Sequence, residues 1–389
     1  MWTAARSRKL SPNGWPKTRA NGARLSTPPS SEPRPVSGSE TGTNTPAITC
    51  QNVWQVFGND AGRALKEVLA NHHSPHDAAG ELRRKGLIPA VQNVSFQVQE
   101  GELFVIMGLS GSGKSTLIRC ISHLLHATGG EIRIDGENIV EASPKRLIEL
   151  RRKKLGMVFQ HFGLFPHMTV AENVAYPLRV QGVKKKQRQA KAEEVINLVG
   201  LRGRENHYPR ELSGGQRQRV GIARSLVADC SVWFLDEPFS ALDPLIRRQL
   251  QDEFLEIQAK LKTTIVFITH DINEALKLAD RIAIMRDGRI VQIGTPADIV
   301  LRPADDYVRE FSKDVAKGRH ARVASVMETG AELAYGADDP GLRQDMTLDA
   351  ALARCMEMYE PVPVRSPEGN VVGVVNPANL AAALQVEQG

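Results

Sequence analysis

The chain has 389 residues, enough for two or three folding units at roughly 100–200 residues each. Apolar residues make up 41% and charged residues 24%, the balance of a globular protein, and no apolar run approaches the roughly 18 residues that would cross a bilayer. The net charge is +6, but residues 1–46 hold +5 of it; the remainder is close to neutral, so the basic balance says little about partners, and no nucleic-acid partner is expected.

Residues 1–46 are rich in Ser, Thr, Pro, Gly and Arg and nearly free of large aliphatics, the composition of a disordered basic tail. No apolar stretch follows the early basic residues, so a secretory signal is not expected. Cys50, Cys120, Cys230 and Cys355 lie far apart with no CxxC pair, which fits a reducing compartment rather than a disulfide framework.

After Pro46 a strand-like alternation runs through Val91, Val94, Phe96 and Val98. A short apolar strand, Phe104–Met107, leads into Gly108-Leu109-Ser110-Gly111-Ser112-Gly113-Lys114-Ser115 and an apolar helix predicted from about Thr116. Strand, glycine loop and helix is the context of a phosphate-binding loop. Its glycines let backbone N–H groups turn inward onto phosphate oxygens, and the helix N-terminus adds positive potential. Lys114 can then reach the β- and γ-phosphates, and the Ser115 hydroxyl can ligate Mg2+.

Further strands are predicted at Gly156–Gln160, Val232–Leu235, Thr264–Thr269 and Arg281–Met285, with helices between them. Ile246, Leu250, Phe254, Ile257 and Leu261 recur at helical spacing and mark one buried face over Leu245–Leu261. Alternation of strands and helices predicts an α/β fold with a mostly parallel sheet. Between Gln160 and about Leu226 the strand signal vanishes; helices are predicted at Val174–Val180 and Ala190–Leu201, a helical insertion. The run Val232-Trp233-Phe234-Leu235 ends in Asp236-Glu237, a buried strand that delivers two carboxylates to its C-terminal edge. Asp236 is placed to hold Mg2+, and Glu237 to polarise a water that attacks the γ-phosphate.

Leu212-Ser213-Gly214-Gly215-Gln216 ahead of a helix resembles the signature motif of ATP-binding-cassette (ABC) ATPases. The family's other landmarks follow in order. Phe57 resembles the aromatic that stacks on adenine, and Gln160 the loop glutamine that links nucleotide and Mg2+ to the transmembrane partner. Ser240-Ala241-Leu242-Asp243 resembles the loop after the catalytic acids, and His270 the switch histidine at the γ-phosphate. The resemblance implies a P-loop NTPase cassette over residues 47–315, with a RecA-like core, an antiparallel β subdomain and a helical subdomain at about 161–226. It also implies ATP and Mg2+ as cofactors, and catalytic roles for Glu237, His270 and Gln160. The nucleotide would contact Phe57, residues Gly108 to Thr116, Ser213, Gly214, Gly215, Gln216 and Asp243. Partners implied are a second copy of the chain, an integral-membrane permease and, indirectly, a solute-binding protein, with the chain peripheral to the cytoplasmic membrane face.

The tracts IMGLSGSGKST, MVFQHFGLFPHMTVAENVAYPL and IVFITHDINEALKLADRIAIM, with the insertion Ala61–Pro89, resemble the ATPase subunits of glycine betaine/proline importers. An importer of choline, histidine or another amino acid is the alternative within the family. A soluble cassette ATPase of DNA repair or translation is disfavoured, because neither a coiled-coil insertion nor a second cassette is present.

Within that insertion, His72, His73 and His76 lack the partners of a metal site. Arg151–Lys154 and Lys184–Lys186 read as solvated helix faces. Residues 316–389 predict a helix at Thr347–Met356, strands at Pro361–Arg365 and Val371–Val375, and a last helix from Asn376-Pro377. This α+β unit resembles a single cystathionine-β-synthase (CBS) motif. Asn376 and Asn379 stand where that family's adenosine-binding pattern has a hydroxyl residue and an acid.

Overall fold

The computed structural model describes residues 46–71, 74–160, 163–240, 242–261, 263–313, 315, 322–329, 341–355, 361–377 and 380. The basic tail up to residue 45, His72, His73, Ala241 and Asn379 lie outside these.

In chain order the described elements begin with β1 (Ile48–Phe57), α1 (Ala61–Asn71), α2 (Pro75–Arg84), β2 (Ile88–Val98), β3 (Leu103–Met107) and α3 (Lys114–Ile121). They continue with β4 (Gly129–Ile134), β5 (Glu137–Asn138), α4 (Pro144–Lys153), β6 (Leu155–Val158), α5 (Val170–Val180), α6 (Lys185–Leu198) and α7 (Gly214–Leu226). Next come β7 (Val232–Asp236), α8 (Pro244–Leu261), β8 (Thr264–Thr269), α9 (Ile272–Leu278), β9 (Arg281–Arg286), β10 (Arg289–Gly294), α10 (Pro296–Leu301) and α11 (Asp306–Ser312). The last are β11 (Leu342–Arg343), α12 (Leu348–Cys355), β12 (Val362–Arg365) and β13 (Val371–Val375).

The central sheet has the order β10-β9-β3-β8-β7-β6, parallel except for β10 at its edge. Every residue of β3, β7 and β8 is buried, as strands covered on both faces require. Successive side chains then serve two cores. Leu103, Val105 and Met107, with Trp233, Leu235, Ile265 and Phe267, join the core built with α5–α8. Phe104, Ile106, Val232, Phe234, Val266 and Ile268 join the core built with α3 and the antiparallel sheet β2-β1-β4-β5. Phe239, Phe254 and Phe267 pack ring against ring with centroids 5.9–6.3 Å apart; burying each such side chain stabilises by roughly 1.5–3 kcal/mol.

Parallel register carries the fold's consequence for function. Met107 pairs with Thr269, Asp236 with Ile268, and Val158 with Leu235, so four strand ends lie side by side. The segments that follow them, beginning at Gly108, His270, Glu237 and Phe159, are delivered to one edge of the sheet.

Several predicted boundaries shift. The helix after the glycine loop starts at Lys114 rather than Thr116, because Gly113 at φ 100° already occupies its N-cap position. The strand predicted to reach Gln160 ends at Val158. The second helix of the helical region spans Lys185–Leu198 instead of Ala190–Leu201; its first turns are polar and solvent-facing, so apolar periodicity marks only its later part. Residues 61–84 fold as two helices whose Leu65, Val68, Ala78, Ala79 and Leu82 pack with Trp54, Val56 and Leu87 in a small separate core. His76 of that insertion lies against Arg289, with Nδ1 3.2 Å from a guanidinium nitrogen. The four cysteines are free and buried. No helix among the described residues is long and apolar enough to cross a membrane.

Beyond residue 322 a sheet of order β11-β12-β13 has β11 parallel to β12 across α12, and β13 antiparallel to β12. Val323, Leu342, Leu348, Val362, Val364 and Val375 form its core, and Leu301 of α10 packs against it.

Candidate functional site

The loop between β3 and α3 turns on Gly108 (φ 151°) and Gly113 (φ 100°). A Cβ on Gly108 would sit 2.2 Å from the Met285 carbonyl oxygen, and one on Gly113 2.4 Å from that of Ala90, so only glycine fits either place. Lys114 is buried, and its ammonium donates to the carbonyls of Gly108 at 2.8 Å and Leu109 at 3.0 Å. Burial holds its pKa below the ordinary lysine value, against the opposing pull of Glu237 and Asp236. Ser110 and Gly111 are exposed, Thr116 is half-buried in the first turn of α3, and the Ser112 hydroxyl is buried without a hydrogen-bond partner.

Strand alternation explains where Asp236 points. It continues the face of Val232 and Phe234, the face that α3 covers, and the Ser115 hydroxyl at the start of α3 donates to its Oδ1 at 3.1 Å. Burial pushes the Asp236 carboxyl above the usual aspartate value, partly offset by that hydrogen bond. Glu237 adopts a left-handed backbone (φ 45°) that few non-glycine residues tolerate, and its N–H is held by the Ile268 carbonyl at 3.1 Å. One oxygen of its side chain, Oε2, lies 3.1 Å from His270 Nδ1 and accepts from the Gln160 amide at 3.3 Å. The structure thus brings Lys114, Ser115, Gln160, Asp236, Glu237 and His270 to the same sheet edge.

The remaining predicted residues stand apart from this cluster. Phe57 ends β1 with 41% of its surface exposed, paired across the ladder with Ile88, which is 66% exposed. Ser213 is the N-cap of α7: its hydroxyl accepts from the Gln216 N–H, and the Gln216 side chain accepts from the Ser213 N–H. A Cβ on Gly215 would sit 2.8 Å from Ile246, so α7 closes tightly on α8, while Gly214 has Leu242 at ordinary contact distance. Asp243 accepts from the Ile246 N–H at 3.1 Å, within the first turn of α8.

Arg247 escaped the sequence reading. It donates to the Ser240 and Leu242 carbonyls at 3.4 and 3.2 Å and lies 3.3 Å from Asp271, the residue after His270. It therefore ties the loop after the two acids to the His270 loop. An arginine four residues beyond Asp243 in the first helical turn was the available signal.

A glycine loop with a buried lysine, flanked by strand-end acids on a parallel sheet, defines a P-loop ATPase cassette. Residues 91–240 match the family model described as ABC transporter. The chain belongs to the ATP-binding subunits of ABC transporters, which hydrolyse ATP. It is 50% identical over 335 residues to the trimethylamine N-oxide transport system ATP-binding protein of Pelagibacter ubique, covering 86% of this chain and 96% of that one. It is 46% identical over 301 residues to the glycine betaine transport ATP-binding protein of Bacillus subtilis, covering 77% and 70%. Among solved structures, a dimeric ATP-binding cassette in a post-hydrolysis state with ADP and Pi aligns at 31% identity and a TM-score of 0.54, covering 64% of this chain and 98% of that one.

Proposed function

We propose that this chain powers import of a small solute with a fully methylated nitrogen, of the glycine betaine and trimethylamine N-oxide type. It would act through a separate permease at the cytoplasmic face of the membrane, with a solute-binding protein delivering the solute. The observation that carries the ATPase half of this reading is the convergence of Gln160 and His270 on one Glu237 oxygen, beside the Ser115–Asp236 pair. Residues from four strand ends meet where a γ-phosphate held by Lys114 would lie.

In this reading Phe57 stacks on adenine and Gly108 to Thr116 cradle the phosphates. Glu237 orients and deprotonates the attacking water, and His270 contacts the γ-phosphate. The Ser115 hydroxyl, the Asp236 carboxylate and the Gln160 amide oxygen are the hard donors that Mg2+ prefers. The buried, pKa-raised Asp236 carboxyl suits a site that a cation relieves. Bound Mg2+ would neutralise charge on the β- and γ-phosphates. Ser213, Gly214, Gly215, Gln216 and Asp243 would serve the nucleotide of a second copy, as the dimeric relative suggests.

The cassette would occupy residues 47–315 with a helical subdomain at about 161–226. Residues 316–389 would form one CBS-like unit, a reading supported by the β11–α12–β12–β13 order. The matches to the trimethylamine N-oxide relative at 50% identity and to the glycine betaine relative at 46% support this solute class. Reconstitution with the cognate permease and binding protein tests this: ATP-driven uptake of labelled trimethylamine N-oxide or glycine betaine is expected, and Glu237→Gln should abolish it. Uptake of neither solute, with ATPase activity intact, would overturn the substrate class.

A further inference from the structure

The end of the cassette turns back onto the start of the phosphate loop. The Tyr307 hydroxyl, in the first turn of α11, donates to the Met285 carbonyl at 3.2 Å and accepts from the Leu109 N–H at 3.5 Å. The same Met285 oxygen is the atom against which Gly108 packs, so hydroxyl, carbonyl and first glycine share one crowded spot. The tyrosine ring is held from two further sides. Arg286 sits 4.9 Å from its centroid and pairs with Asp305 at 3.4 Å, and Phe311 packs edge-on at 5.1 Å.

Leu109 is thereby held at both ends of its peptide units: its N–H by Tyr307, and its carbonyl by Lys114. A hydroxyl that fixes Leu109 also fixes the cage from which Lys114 reaches a phosphate. Loop freedom removed before binding is not lost again on binding, so such an anchor raises nucleotide affinity.

We propose that Tyr307 is a positioning residue for the phosphate loop, acting through Leu109 on the cage that holds Lys114. This rests on Gly108–Ser115 being the nucleotide loop, which Lys114→Ala tests separately: retained nucleotide binding by that variant would remove the loop reading itself.

The test uses the full chain, measuring Kd for a fluorescent ATP analogue together with KM and kcat for ATP. Tyr307→Phe should raise Kd and KM about 2–10-fold, the size of one neutral hydrogen bond, and leave kcat within about twofold. Tyr307→Ala should be at least as impaired. If Phe binds as well as Tyr and only Ala is weakened, the ring merely packs and the proposal fails. Tyr307→Phe removes only the hydroxyl, so its Kd and KM decide the proposal even if Tyr307→Ala fails to fold.

Discussion

His270 and Glu237 face each other across two strand ends, with Nδ1 3.1 Å from Oε2, and the Gln160 amide donates to that same oxygen at 3.3 Å. Both contacts fall on one oxygen of the Glu237 carboxylate, so His270 and Gln160 together fix the direction of its side chain. Its left-handed backbone, tied to the Ile268 carbonyl, aims the side chain at this point.

Glu237→Gln keeps the shape and removes the base. ATP binding should stay within a few-fold of wild type, while kcat falls roughly 10²–10⁴-fold, the usual contribution of general-base catalysis. Steady-state hydrolysis and nucleotide binding measured on the same protein separate the two. Near-normal turnover would sink the assignment of Glu237.

Two glycines of the loop, one tight and one open, make a graded prediction. Gly113→Ala meets both a left-handed φ of 100° and the Ala90 carbonyl at 2.4 Å, whereas Gly111→Ala at φ 80° meets open space. Left-handed backbone alone costs a non-glycine residue about 1–2 kcal/mol. Gly111→Ala should therefore lose about that much in urea unfolding, and Gly113→Ala clearly more, together with nucleotide binding. Equal losses would show that the Ala90 contact is immaterial.

Much of this site was legible in the sequence because its chemistry is local. Gly108 to Ser115, Val232 to Glu237 and Leu212 to Gln216 are short contiguous patterns, and the fully buried strands β3, β7 and β8 are built on the apolar runs Leu103–Met107, Val232–Leu235 and Ile265–Ile268. What stayed hidden depends on long-range contacts. Residues 61–84 gave no clear signal because their helices bury alanines and only a few leucines and valines. Polar Gln251 and Gln258 lie buried on α8 beside the predicted apolar face. The grip of Arg247 on the Ser240 loop, and of Tyr307 on Leu109, joins segments that no spacing rule connects.

Glu274 offers a pH test away from the nucleotide. It is buried on α9, accepts from Gln251 at 2.8 Å, and its carboxyl is pushed above the usual glutamate value mainly by burial. Hydrogen bonds from Thr269 and Gln251 and the charge of Arg247 oppose that shift, while Asp271 adds to it. A raised folded pKa means the fold prefers the neutral acid. The contribution of Glu274 to stability is thus greatest below its unfolded value of 4.5, and it declines as pH rises through the folded value. Relative to wild type, Glu274→Gln should gain stability steadily over that window and stay level beyond it. Urea unfolding of both proteins from pH 4 to 8 checks this; a constant difference would refute it.

Ser213 and Gln216 close a reciprocal cap on α7, and Gly215 locks that helix against Ile246 of α8. This leaves an exposed Ser213 at a rigid helix N-terminus, a good place for an anion but one presented by a different element from the Lys114 loop. If the segment completes a partner's nucleotide site, catalysis needs two chains related by a two-fold axis. A Ser213→Arg chain and a Lys114→Ala chain should each be nearly inactive alone. Mixed, they form dimers in which one site combines the intact loop of the first with the intact signature of the second, so partial recovery of hydrolysis is expected. Glu237→Gln, which binds ATP without releasing it as product, should hold the pair together, and light scattering should then show an ATP-dependent dimer. A protein that stays monomeric at saturating ATP would exclude the shared site.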